Sequence, residues 1–173
     1  MAHRKFCDLA GKPGALVYEP GSIYGCTCIV LPQDAGEYAE ELKLILERFS
    51  ESIYPGFQCG PGWYKLLIEV DEKLNYLCPE YEIQQIKEKF GTLRFYWGMP
   101  YKGDYKAGLS DSDREMIFTI MSDVVHYAEN SSSIFCEICG NYGRTLTKNY
   151  WLKTLCKTCA TEKGFDYEQR ESD

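Results

Sequence analysis

Two cysteine pairs, Cys136-Glu137-Ile138-Cys139 and Cys156-Lys157-Thr158-Cys159, stand 16 residues apart. A CxxC turn aims two thiolates at one point, and two such turns at this separation match the spacing of a four-cysteine zinc site. Four thiolates at about 2.3 Å close the tetrahedral shell of zinc and leave no position for water or substrate. The expected ion is therefore structural, one Zn2+ per chain. Gly140, directly after the second cysteine, suits a turn of positive φ in which backbone N–H groups approach the sulfurs.

The chain carries nine cysteines, an odd number, and opens Met1-Ala2-His3-Arg4-Lys5-Phe6-Cys7-Asp8 without an apolar export segment. A cytoplasmic location is expected, where thiols stay reduced and metal ligation explains the CxxC pairs better than oxidation does. Cys26 and Cys28 read as ordinary buried thiols, and the sequence assigns no role to Cys7, Cys59 or Cys78.

Catalysis needs a nucleophile or base with partners, and the supply is poor. The histidines are His3 and His126, with no nucleophile elbow, no phosphate-cradling glycine loop and no second metal motif. No residue is assigned as catalytic. His126 reads as a structural histidine on a helix, and the mark of an enzyme would be a pocket joining it to an acid or a free cysteine.

The net charge of -7 and pI near 5.0 oppose broad, sequence-independent binding to phosphates. The acidic excess lies between Pro32 and Glu82, with 11 acidic against 4 basic residues. Residues Gln84 to Lys106 and Cys136 to Lys163 are each locally basic by three charges. The candidate partner contacts lie there: Lys87, Lys89, Arg94 and Tyr96 on a predicted hairpin, Arg144 and Lys153 between the cysteine pairs, and Lys157 within the second pair. Cations interleaved with aromatics hold phosphates and stack bases; the same pattern is equally the solvated face of a hairpin whose Leu93, Phe95 and Trp97 enter the core.

Around these residues the periodicity predicts the framework. Ala15-Leu16-Val17-Tyr18 and Ile23 to Leu31 flank Glu19-Pro20-Gly21-Ser22 as a hairpin. Leu42, Ile45, Leu46, Phe49 and Ile53 mark an amphipathic helix over Glu37 to Ile53 with an acidic outer face, stopped by Tyr54-Pro55-Gly56. A second helix runs from Trp63 to Leu77 after Cys59-Gly60-Pro61-Gly62, a helix-entry turn with Trp63 as core anchor. Tyr81 to Trp97 reads as a hairpin turning near Phe90-Gly91. A third helix, Ser112 to Glu129, opens with the box Ser112-Asp113-Arg114-Glu115, buries Ile117, Ile120, Met121, Val124 and Ala128, and ends at Asn130-Ser131-Ser132-Ser133. In the finger, Arg144 to Thr147 and Tyr150 to Leu155 read as strands around Lys148-Asn149, and Ala160-Thr161-Glu162-Lys163 as helix.

The segments Cys59-Gly60-Pro61-Gly62-Trp63 and Ile86-Lys87-Glu88-Lys89-Phe90-Gly91-Thr92-Leu93-Arg94-Phe95-Tyr96, with the trailing cysteine pairs, resemble a group of small bacteriophage and prophage proteins over residues 59 to 160. The resemblance implies a phage setting and carries over no catalytic residues. Many of those proteins end the finger in a Cys-and-His pair, whereas this chain has Cys156 and Cys159. Knuckle, hairpin and helix make a treble-clef arrangement, and Leu155 to Ala160 resembles the second half of DNA-binding GATA-type fingers. Those are followed by a basic tail, but Gly164 to Asp173 holds four acidic residues against Arg170.

The expected architecture is α+β: three amphipathic helices with short antiparallel strands in a body of residues 1–130, of which 1–35 form the hairpin segment. A treble-clef-like zinc finger of residues 131–173 is packed on or tethered to it. The favoured function is a non-catalytic interaction protein that binds a macromolecular partner, a host protein, in a host-modulating or anti-defence role. An acidic first helix would meet a basic partner. The alternative is sequence-specific nucleic-acid binding through the finger, and an enzyme is third. No membrane contact or small-molecule substrate is expected.

Overall fold

The computed structural model describes residues 31–50, 56–99 and 109–168, so the hairpin expected within 15–31 lies outside the described residues apart from Leu31. The chain is α+β, as the pattern of periods implies. A three-residue turn at Gly36–Tyr38 leads into α1 (Ala39–Glu47), which buries Leu42, Ile45 and Leu46 and turns Glu40 and Glu41 outward.

Helix α1 ends well short of Ile53. The backbone of Arg48 accepts from Ile83 N–H at 2.8 Å, Ser50 N–H donates to Ile83 O at 3.0 Å, and Phe49 forms an isolated parallel bridge with Ile83. Sheet pairing thus takes over the last predicted turn. Arg48 is held there by Asp71 at 2.5 Å, whose carboxylate also accepts from the Tyr81 hydroxyl. This buried group satisfies the one charged residue on the inner side of the next helix.

A short strand β1 (Phe57–Gln58) precedes Pro61–Trp63, a 3-10 turn with Pro61 at its first position, where a missing N–H does no harm. It opens α2 (Tyr64–Leu77), whose Leu66, Leu67, Val70 and Leu74 recur at helical spacing on the buried side. Strands β2 (Glu82–Lys89) and β3 (Thr92–Gly98) pair antiparallel around Phe90 and Gly91, both of positive φ (56° and 77°), the geometry of a twist-matched two-residue turn. β1 adds to β2 in parallel, giving the order β1-β2-β3.

Helix α3 (Asp111–Ser131) begins one residue before the expected start and is capped by a different box. Ser110 Oγ accepts from Asp113 N–H at 3.2 Å while Asp113 Oδ2 accepts from Ser110 N–H at 3.1 Å, so Ser110 and Asp113 replace Ser112 and Glu115. The helix ends at Ser131, within the expected Asn130–Ser133 run. Ser132 Oγ donates to Glu129 O at 2.5 Å and Ser133 Oγ to Asn130 O at 2.7 Å, carrying the chain through a 3-10 turn to Ile134. The division expected after residue 130 therefore falls within the last turn of α3. Met121, Val125 and Ala128 are buried, whereas Ile120, expected inside, is exposed because it lies on the flank away from the sheet.

One core joins α1, α2 and α3 to the inner residues Ile83, Ile86, Leu93 and Phe95 of the sheet, with Trp97 partly buried beside them. The opposite sheet face carries Gln58, Gln85, Lys87, Arg94 and Tyr96. A second, smaller core belongs to the C-terminal unit: β4 (Arg144–Lys148), β5 (Trp151–Leu155) and α4 (Lys157–Lys163) around Leu146, Leu155 and Ala160. The β4–β5 turn sits at Asn149 and Tyr150, again with two positive φ values, one residue later than expected.

Candidate metal centre

The first cysteine pair is shaped by its own backbone. Gly140 N–H donates to Cys136 O at 2.9 Å, Cys136 N–H donates to Asn141 O at 2.7 Å, and Gly140 adopts φ 73°, which a glycine takes without strain. The second pair opens α4: Cys156 is its N-cap, and its Sγ accepts from Cys159 N–H at 3.5 Å. Turn, hairpin and helix form the treble-clef arrangement.

The four sulfurs lie within 4.8 Å of one another, and Cys139 Sγ is 3.6 Å from Cys156 Sγ. Ligands about 2.3 Å from a tetrahedral ion stand about 3.8 Å apart, so this cluster has the size of a metal site. Disulfides, with sulfurs about 2 Å apart, do not fit. The Cys159 N–H, the largest influence on Cys156, pulls its thiol down to about 7, whereas burial pushes Cys139 and Cys159 up. Cys156 is thus a readier thiolate than Cys139 or Cys159, and a cation would draw out their protons. Cys136, Cys156 and Cys159 are buried, and Cys139 faces solvent.

The cluster is locked to the body by residues the sequence reading gave other roles. Gly62 N–H donates to Glu137 O at 2.8 Å, and the Trp63 indole Nε1–H donates to Phe135 O at 2.7 Å. A Cβ at Gly62 would lie 2.1 Å from Cys136 O, so the helix-entry turn is also the seat of the metal turn. Lys153 Nζ bridges Glu88 Oε2 and Glu137 Oε2, each at 2.8 Å, and Glu137 Oε1 accepts from Gly60 N–H at 3.2 Å. Burial alone would lower the Lys153 ammonium, but the hydrogen bonds and charges of the two carboxylates outweigh it and hold it above its ordinary value. On the far side, buried Thr154 donates to Gly91 O at 2.6 Å. An acid inside the first cysteine pair of an otherwise basic segment is the signal that could have pointed to Glu137.

The candidate contact residues separate into two groups. Lys153 serves the junction, Lys157 pairs with Glu168 at 2.9 Å, and the Arg144 guanidinium lies 4.8 Å from the Tyr167 ring. The finger cations thus have internal partners. Lys87, Lys89, Arg94 and Tyr96 instead lie together on or beside the outer sheet face, with Lys87 Nζ 5.3 Å from the Tyr96 ring.

His126 borders a groove of about 380 Å³ between α3 and β3, beside Glu129, Ser122 and Arg94. Glu129 accepts from Phe95 N–H at 2.9 Å and Ser122 donates to Phe118 O at 2.9 Å, so the acid and the hydroxyl there are engaged in holding the fold. Among the described residues no helix is long and apolar enough to cross a membrane. Set against models of protein families, curated proteins and solved structures, the chain finds no match in any of the three.

Proposed function

We propose that this chain is a non-catalytic, zinc-stabilised interaction protein that engages a macromolecular partner, a host protein, in the phage setting implied by the resemblance over residues 59 to 160. One observation carries the reading: the four-cysteine cluster can complete a metal's shell by itself, beside Lys153–Glu88 and Trp63–Phe135 contacts that hold the finger to the body. Zinc suits this donor set because it is borderline-soft, has no redox chemistry and takes four thiolates in closed structural sites. Its binding energy then becomes folding energy for a unit whose own core is small.

The acidic outer side of α1, with Glu40, Glu41 and Glu47 exposed, supplies the charge to meet a basic partner surface, and such complementarity acts on association rate and selectivity. Elemental analysis of the purified chain is expected to give one zinc per chain. Capture from host lysate, followed by binding of the purified partner, is expected to weaken when Glu40, Glu41 and Glu47 are changed to Lys. A captured protein that binds the triple variant undiminished, or a chain purified without zinc, overturns the reading.

A further inference from the structure

The outer face of the three-stranded sheet places like charges together. Lys87 and Arg94 are directly opposed across β2 and β3, Lys89 follows one step along β2, and no ion pair involves any of the three among the described residues. Opposed like charges weaken a strand pair, and here neutral groups alone temper them. Arg94 donates to Thr92 Oγ1 and Leu93 O, both at 2.7 Å, Lys87 rests near the Tyr96 ring, and Lys89 Nζ lies 5.2 Å from the exposed Phe90 ring. Of the nearby acids, Glu129 lines the groove with Arg94 and accepts from Phe95 N–H at 2.9 Å, Glu88 is turned to Lys153, and Glu82 stands at the far end opposite Gly98, beyond the irregularity between Ile83 and Gln85.

Part of the acidic surplus lies across the sheet. Helices α1 and α2, with a net charge of -3 between them, pack on the inner face through Leu42, Leu46, Leu67 and Leu74. The fold therefore separates an acidic helical side from a cationic strand side, which the net charge of -7 conceals.

We propose that this strand face binds single-stranded nucleic acid, with Lys87, Lys89 and Arg94 on phosphates and Tyr96 stacking a base. The cations call for an anion, and the aromatics select the class. Tyr96 is 39% exposed beside the 380 Å³ groove that Trp97 and His126 border, so a base stacked on Tyr96 has room to turn inward over the β3 edge. An acidic peptide would use the cations and leave the ring and groove without a role. A duplex keeps its base faces stacked and cannot offer one to Tyr96, whereas unpaired bases stack on aromatic side chains with little regard to sequence. The inference is independent of the host-protein reading and does not involve the finger's cations.

The test uses the full-length metal-loaded chain and a fluorescent oligonucleotide of about 20 thymidines, followed by anisotropy at several salt concentrations. Three phosphate contacts on a single strand predict a slope of log K against log salt of about -2, or about 20-fold weaker binding between about 50 and 200 mM. Lys87→Gln with Arg94→Gln is expected to flatten the slope to about -0.7, and Lys89→Gln, at an exposed strand end, to about -1.4. Tyr96→Ala is expected to weaken binding at least about five-fold with the slope unchanged. Lys65→Gln on α2 should change nothing, and zinc content should be the same in all variants. Absent binding at low salt, binding that survives the Gln substitutions, a duplex bound as tightly as the strand, or equal competition by polyglutamate overturns the proposal.

Discussion

Replacing Gly62 by alanine adds one methyl group at the tightest point of the junction. The new Cβ would stand 2.1 Å from Cys136 O, 2.5 Å from Gly140 N and 2.8 Å from Cys139 N, all backbone atoms of the metal turn. Carbon and oxygen settle at about 3.3 to 3.6 Å, so the turn must retreat by about 1 Å. That movement stretches the bonds from Gly62 N–H to Glu137 O and from Trp63 Nε1–H to Phe135 O, now 2.8 and 2.7 Å, beyond hydrogen-bond reach. Two buried donors left unmet cost about 1 to 3 kcal/mol each, and the reduced freedom of the unfolded chain returns less than about 1 kcal/mol. The expected loss is about 2 to 5 kcal/mol, or on the order of 5 to 15 °C in Tm for a chain of this length. Thermal melts followed by tryptophan fluorescence read it, and a chelator should strip the metal faster. Gly56→Ala, where nothing lies within 4 Å of the added carbon, is the control and should be close to neutral. A Gly62→Ala protein that melts with the wild type and loses metal at the same rate would refute the reasoning.

Cys139→Ser removes one of four thiolates and should abolish tight zinc binding, while most far-UV helix signal persists because Phe135 is, among the described residues, the one apolar side chain of the finger packed on the main core. Lys153→Met leaves Glu88 and Glu137 facing each other partly buried; a loss of about 2 to 4 kcal/mol by urea denaturation is expected, with part restored by adding Glu137→Gln. Burial, aided by the Glu137 charge, raises the Cys59 thiol to about 12, so mass spectrometry should find it unlabelled by iodoacetamide at pH 8 in the native chain and labelled in Gly62→Ala. Since that folded value lies above the unfolded one, the contribution of Cys59 to stability is complete below about pH 9 and should fade as pH rises toward 12. Tyr150→Gly should raise stability by about 1 kcal/mol in thermal melts, because Tyr150 holds φ 67° with its side chain almost wholly in solvent.

The features legible in the sequence were those with a local cause. The cysteine spacing led to the cluster, the leucine period of α2 to its span, and the alternation of Leu93 with Phe95 to β3, each a pattern that repeats within one element. The cap of α3 and the β4–β5 turn were displaced by a residue or two between rival local signals, whereas other differences arose where a distant group competed with a local rule. Ile83 drew Arg48 to Ser50 out of α1, and Leu93 N–H, bonded to Ser132 Oγ at 2.8 Å, helped to anchor the turn beyond α3. Lys153 could not be told from a solvated lysine, since Glu88 is 65 residues away in the chain. Pairing partners of that kind leave no periodic trace.

Cys59 to Trp63, Ile86 to Tyr96 and the cysteine pairs are far apart in the chain, yet they meet at one place. Gly60 and Gly62 lie under the metal turn, Trp63 bonds Phe135 just before it, and the Phe90-Gly91 turn rests on β4 and β5, where a Cβ on Gly91 would stand 2.9 Å from Thr145 Cγ2 and Thr154 donates to Gly91 O. Gly60 and Gly62 are required by close approach of the backbone, and Gly91 by its φ of 77° as well as by the neighbouring Thr145. A metal held by the four cysteines would therefore do more than close a small finger around Leu146 and Leu155. By fixing the Cys136 to Gly140 turn it would fix the surface against which Gly62 and Trp63 seat, and through Trp63 the entry of α2 into the main core. Metal occupancy and the seating of α2 would then be coupled through one packed contact.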